Sequence, residues 1–200
     1  MKELLRELKA LSDPQKALAD QKYHKSVREH WGVSVPLCDK VAKTYAKGRK
    51  PEELLFLAED LWNTDLYDPM ICASKIVSLS CIKPSLPLWN TIKRFLKSVD
   101  GWALEDSLAH AAWKCILADK TLLDELEIWT KHPNFWIRRA TLIYTLPFAK
   151  PGKDPEPMLG WASIYSTDSE WFMQKAIGWW LRVLGSHNPE RVILFLKTHW

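Results

Sequence analysis

The chain is punctuated as a succession of helix starts and stops, and no segment of it asks to be a strand. A capping side chain, or a proline suited to a first helical turn, recurs at Asp13-Pro14, Ser34 before Pro36, Pro51, Asp68-Pro69, Pro133, Pro155 and Pro189. Stops fall at Gly32, Gly48, Lys83-Pro84 and Gly185. This punctuation predicts helices over 2–11, 14–30, 36–47, 51–63, 67–82, 86–98, 102–118, 121–131, 133–148, 156–166, 169–184 and 189–199. Helices opening near residues 67, 102, 133 and 169 each follow a shorter one, so the unit is an antiparallel helix pair recurring about every 31 to 36 residues. Stacked pairs bury a continuous core as an all-α superhelix, a solenoid whose concave layer of helices suits a long ligand such as a duplex. A closed helical bundle is the alternative that the pattern leaves open.

With 200 residues, 47% of them hydrophobic, the chain has enough apolar surface for one domain over 1–200, and no Gly/Ser-rich or single-charge run divides it. The N-terminus, MKELLRELKALSD, alternates charge with leucine and lacks the apolar core of a signal peptide, and no apolar run is long enough to span a bilayer. Cys38, Cys72, Cys81 and Cys115 show no CxxC pairing and sit in helical apolar patterns, which predicts buried, reduced thiols and a cytoplasmic setting. Net charge is only +4, but residues 1–130 carry 19 Lys/Arg against 19 Asp/Glu and residues 131–200 carry 9 against 5. The whole surplus therefore lies in the last third, where an anionic partner is drawn first.

Three helices carry polar residues on unexpected faces. At about 100° per residue, the helix over 102–118 puts Leu104, Leu108, Ala111 and Cys115 on one side and Trp102, Asp106, Ala109 and Trp113 on the other. A carboxylate thus sits between two indoles, either as a buried polar contact or as a group displayed in an aromatic-walled groove. In the helix over 133–148, Arg139 lies along the stripe of Phe135, Leu142, Ile143 and Leu146, where its charge requires a carboxylate, a carbonyl or an incoming phosphate. Arg138 reads as an ordinary solvent-facing residue. In the helix over 169–184, Phe172, Met173, Ala176, Trp180, Val183 and Leu184 form the core side, while Trp171, Lys175, Gly178, Trp179 and Arg182 share another. Cations alternating with indoles beside a glycine suit a phosphate-lined groove, though lysine and arginine stems lying over a tryptophan give the same pattern. Tyr23, in the run Gln21-Lys22-Tyr23-His24-Lys25, is a weaker basic-aromatic mixture of the same kind.

The six histidines show no HExxH or other metal-ligand spacing, and there is no GxSxG, phosphate-cradling glycine loop or dinucleotide fingerprint. Metalloenzyme, nucleotidase and triad-hydrolase readings therefore have no support.

Trp102-Ala-Leu-Glu-Asp106, Asn134-Phe-Trp-Ile-Arg-Arg139 and Gln174-Lys-Ala-Ile-Gly-Trp179-Trp-Leu-Arg182 together resemble the AlkD family of DNA alkylation repair glycosylases, whose fold is a HEAT-like α-α superhelix. The likeness extends through Tyr23-His-Lys to Gly32-Val33 and through Leu61-Trp62, and so covers nearly the whole chain; the last repeat reads as incomplete at Trp200. The resemblance implies that Asp106 is the catalytic carboxylate beside the lesion's deoxyribose and that Arg139 is a cleft residue needed for activity. It implies that Trp102 and Trp179 pack against the sugar-phosphate backbone; the helix-face patterns above add Lys175, Arg182, Tyr23 and Trp113 as candidate DNA contacts. The activity implied is monofunctional hydrolysis of the N-glycosidic bond of cationic bases such as 3-methyladenine and 7-methylguanine. The partner would be double-stranded DNA, bound by a monomer with no metal or organic cofactor and no membrane.

The residue types agree with that chemistry. An alkylated purine already carries positive charge and leaves without a general acid, so the barrier lies in forming an oxocarbenium-like sugar, which one carboxylate and two indole faces stabilise. Most glycosylases flip the base into a tight pocket, whereas the resemblance implies a shallow reader that holds the lesion by its backbone. The competing class is a non-catalytic HEAT-like module that binds DNA structures or protein partners through the same face. It predicts salt-sensitive binding without base release. The acid, the arginine and both tryptophans, standing together at the family's positions, favour the enzyme.

Overall fold

In a computed structural model, which describes residues 1–199, the chain is helical throughout, with twelve α-helices, one 3-10 turn and no strand among the described residues. It divides into two compact units, Met1–Cys115 and Ile116–Trp200. No helix among the described residues is long and apolar enough to cross a membrane.

The first unit holds α1 (Lys2–Ala10), α2 (Pro14–His24), α3 (Val35–Ala46), α4 (Pro51–Trp62), α5 (Tyr67–Ser78), α6 (Leu86–Lys97) and most of α7 (Trp102–Ala118). Helix α5 is its axis: Tyr67 through Ser74, Ile76 and Val77 are all buried, and α3 and α4 pack along it with Val41, Ala42, Leu54, Leu57 and Leu61. A helix apolar on every side is stable only when neighbours cover every side, which is the position α5 occupies.

Helix α2 is the opposite case, since none of its residues is buried. Asp13 caps it through the amides of Gln15 and Lys16, both at 3.0 Å, and it stops at His24 rather than at residue 30 because Lys25 adopts a left-handed conformation at φ 55°. What holds it is the loop that follows. Asp68 does not cap its own helix; its buried carboxylate accepts the amides of Trp31 and Val33, each at 2.7 Å. Asp100 accepts Ser26 Oγ at 2.8 Å and the Val27 amide at 3.2 Å and pairs with Arg28, whose other nitrogens reach Asp65 and the Ser98 carbonyl. Gly32 is therefore no helix stop: it sits at φ +76° where the loop passes directly beneath the start of α2.

Helix α5 ends at Ser78, four residues before its expected limit. Lys114 on α7 reaches across and donates from Nζ to the carbonyls of Val77, Leu79 and Ile82 at 3.2, 2.9 and 2.9 Å, gathering chain-end acceptors that a longer helix would have kept. Cys81 consequently lies in the following turn and is exposed, against the expectation of four buried thiols, while Cys38, Cys72 and Cys115 are buried. Burial pushes the Cys38 thiol up to about 12, so it stays protonated and inert.

The second unit contains α8 (Leu122–Trp129), α9 (Phe135–Ile143), the 3-10 turn Leu146–Ala149, α10 (Glu156–Ile164), α11 (Trp171–Gly185) and α12 (Pro189–His199). Asn134 caps α9 through the Trp136 amide at 2.9 Å, and the helix gives way before Pro147, which has no N–H to continue it. Helix α9 packs on α8, α10 and α11 through Ile137, Ala140, Leu142 and Ile143, all buried. The turn into α11 is fixed by Gln174, whose amide nitrogen donates to the carbonyls of Tyr165, Ser166 and Asp168.

Candidate nucleic-acid interface

Helix α7 carries the two faces expected of it. Leu104, Leu108, Ala111 and Cys115 are buried, whereas Trp102, Asp106 and Trp113, at successive spacings of four and seven residues, are half-buried. Ala109, on the same stripe, is buried and leaves a small side chain beside the carboxylate. His110 stands edge-on to Trp113, with ring centroids 6.0 Å apart.

The start of α7 meets the end of α2. A Cβ on Gly101 would lie 3.2 Å from the His24 carbonyl oxygen, so the two backbones run almost in contact. Tyr23, 67% exposed, sets its ring perpendicular to the Trp102 indole at 5.4 Å. The structure thus brings Tyr23, Trp102, Asp106 and Trp113 onto one side of the first unit.

The sequence reading missed the two histidines behind this corner. His24 packs edge-on to Trp102 at 5.7 Å and stacks on Tyr67 at 4.8 Å, and His30 stacks on the same Tyr67 at 3.9 Å. His24 Nδ1 and His30 Nε2 are 3.3 Å apart, and His30 Nδ1 lies 2.9 Å from the Arg28 carbonyl oxygen. Their separation of six residues across a left-handed turn matches no helical or metal-ligand pattern, so only the quoted Tyr23-His24 run hinted at them. His30 also lines a cavity of about 590 Å³ with Lys9, Gln21, Glu29 and Trp31.

In the second unit, α11 separates a core face from an open one as anticipated, except that Phe172 and Val183, expected in the core, are half-buried. Met173, Ala176, Ile177, Trp180, Leu181 and Leu184 are buried, while Lys175, Gly178 and Arg182 are exposed and Trp179 is half-buried. The Lys175 ammonium rests 4.4 Å above the Trp171 ring, and Trp171 is itself 64% exposed. A Cβ on Gly178 would meet nothing within 4 Å, so the helix surface between Lys175 and Arg182 is open.

Arg139 is buried, at 3% exposure, and its Nε donates to the Phe172 carbonyl at 3.1 Å. A carbonyl is thus among its partners, and the bond ties α9 to the first turn of α11. Arg138 is not the free surface residue expected of it: it donates to the carbonyls of His132 and Pro133 at 2.9 and 3.1 Å and stands over the Phe135 ring, closing the loop before α9. Among the described residues no group of three or more His, Cys, Asp or Glu side chains is placed to hold a metal ion.

A half-buried carboxylate between indoles in one unit, and an exposed row of cations and indoles in the other, are the surfaces to set against known proteins. A family model described as DNA alkylation repair enzyme matches residues 4–200. Among solved structures, the chain is similar to a protein described as a predicted DNA alkylation repair enzyme from Enterococcus faecalis, with 22% identity, a TM-score of 0.82, and coverage of 94% of this chain and 89% of that one. It is also similar to AlkD2 from Streptococcus mutans, with 19% identity, a TM-score of 0.65, and coverage of 94% and 90%. None of the curated protein sequences compared with the chain matches it. The structural likenesses establish the fold, and the family match over nearly every residue establishes membership: this chain belongs to the DNA alkylation repair enzyme family.

Proposed function

We propose that the protein is a DNA glycosylase that hydrolyses the N-glycosidic bond of alkylated, cationic purines such as 3-methyladenine and 7-methylguanine in duplex DNA, acting as a monomer inside the cell. The observation that carries this reading is the Asp106 carboxylate, half-buried on α7 between Trp102 and Trp113. A cationic base is already a good leaving group, so the enzyme's task is to stabilise the positive charge that develops on the sugar and to orient a water toward it. Asp106 supplies the counter-charge and an acceptor for that water. The indole of Trp102 offers its π-face to the same sugar, and Tyr23, perpendicular to it, extends the aromatic wall. Trp113, seven residues on from Asp106, lies on the same stripe of α7 about two turns away.

In this reading α11 holds the backbone. Lys175 and Arg182 contact phosphates while Trp179 packs against deoxyribose, and Arg139 serves by fixing the helix through the Phe172 carbonyl. No step calls for a metal or organic cofactor. Duplex affinity should fall steeply with salt, and Lys175→Ala or Arg182→Ala should each lower the slope of log K against log salt by about 1 and weaken binding to any sequence alike. Fluorescence anisotropy on a labelled duplex between low and moderate salt measures this. Unchanged slopes in both variants would remove α11 from the DNA contact.

A further inference from the structure

His30 Nδ1 faces a carbonyl oxygen, which can only accept, so Nδ1 carries the proton and Nε2 of the neutral ring presents a lone pair. His24 Nδ1 must therefore donate to it, and neutral His24 is left with an unprotonated Nε2 in the aromatic corner of Tyr23 and Trp102. The order of the pair is thus fixed from the Arg28 carbonyl outward. Both rings lie on Tyr67, whose phenol burial keeps protonated.

We propose that the His24–His30 pair is a positioning element for Trp102, which when neutral sets the indole for the reacting sugar and when protonated on His24 slows base release while tightening the hold on DNA. This rests on the glycosylase reading above. While His30 Nε2 keeps its lone pair, His24 holds its hydrogen bond to it whether or not its own Nε2 carries a proton, so the proton on His24 adds charge without breaking that bond. A cation in T-shaped contact with Trp102, ring centroids 5.7 Å apart, polarises the indole that the developing sugar cation needs and opposes that cation directly. The same charge attracts a phosphate.

The groups around the ring set where the change falls. Burial holds the His24 imidazole below the ordinary histidine value of about 6.5, Asp20 opposes this from α2, and His30 and Lys16 reinforce it. Tyr23 flanks the ring from α2, Tyr67 faces it from α5 with Asp68 adjacent, and Asp100 stands just before Trp102. His24 is therefore neutral at pH 7.5 and gains its proton as the pH falls below the ordinary histidine range.

The test uses the intact protein in two arms. Single-turnover release of 7-methylguanine from a methylated duplex should decline progressively as the pH is lowered from 6.5 to 5.0 and be at least about twofold slower at pH 5.0 than at pH 7.5, whereas affinity for an unmethylated duplex should rise over the same interval. His24→Asn keeps an N–H donor for His30 but does not titrate, and should abolish both trends; His24→Gln is the second variant, and circular dichroism at each pH confirms that both remain folded. A wild type without these trends, or a folded His24→Asn or His24→Gln that retains them, overturns the proposal. If the wild type releases no base at any pH, the glycosylase reading fails. The binding arm then still decides the role of the pair: acid-strengthened binding that both substitutions remove supports it, and its absence refutes it.

Discussion

Asp106→Asn is expected to slow base release from methylated duplex DNA by about 100- to 1000-fold, the loss typical when one preorganised charge at the transition state is removed. Asparagine matches aspartate in size, so the half-buried site between Trp102 and Trp113 should stay filled and the helix intact. What disappears is the negative charge opposite a sugar that is nearly neutral in the bound substrate and cationic at the transition state. The interaction is made only as the reaction proceeds, so kcat and kcat/KM should fall together while duplex affinity changes little. Single-turnover kinetics at saturating protein separate the two. A variant that excises at the wild-type rate would take the catalytic role away from this side chain.

Gly32→Ala is expected to cost more than about 4 kcal/mol, a large share of the roughly 5–15 kcal/mol that holds a domain folded. The added Cβ would lie 2.2 Å from the Asp13 carbonyl oxygen and 2.6 Å from the Ala17 amide nitrogen, both backbone atoms, at a residue already at φ +76°. No rotamer change relieves that overlap. Either α2 lifts off the loop, taking Tyr23 and His24 away from Trp102, or the first unit fails to fold. Gly48→Ala provides the comparison, because Gly48 has φ +74° but nothing within 4 Å of its would-be Cβ, so only backbone strain of about 1 kcal/mol applies. Thermal unfolding should show a large loss of Tm for the first variant and a small one for the second. Equal midpoints would mean that the close approach at Gly32 is not what seats α2.

The helix starts were legible because their causes are local. Asp13 and Asn134 cap the helices that follow them through side-chain bonds to amides two or three residues on. The faces of α7 and α11 were legible for a similar reason, since periodicity alone separates Leu104 and Leu108 from Asp106, and Trp180 and Leu184 from Lys175 and Arg182. What escaped depends on partners distant in sequence. Asp68 looks like a helix cap, but its carboxylate serves Trp31 and Val33, and Asp100 holds Ser26 and Val27 from more than seventy residues away. Those bonds turn 25–34 into a fixed loop, which is why α2 stops early and why His24 meets His30. Arg138 and Arg139 show the same limit: each was placed on a face, but the carbonyls that receive them, those of His132 and Pro133 in the loop before α9 and of Phe172 at the start of α11, are brought to them by packing that periodicity does not locate.

The reading as a whole stands on whether this family member breaks the glycosidic bond or only grips the duplex. Wild-type protein incubated with DNA carrying labelled 7-methylguanine should release the free base well above the spontaneous rate, leaving abasic sites in equal number without added metal or cofactor. Salt-sensitive binding to the same duplex with no base released would contradict it.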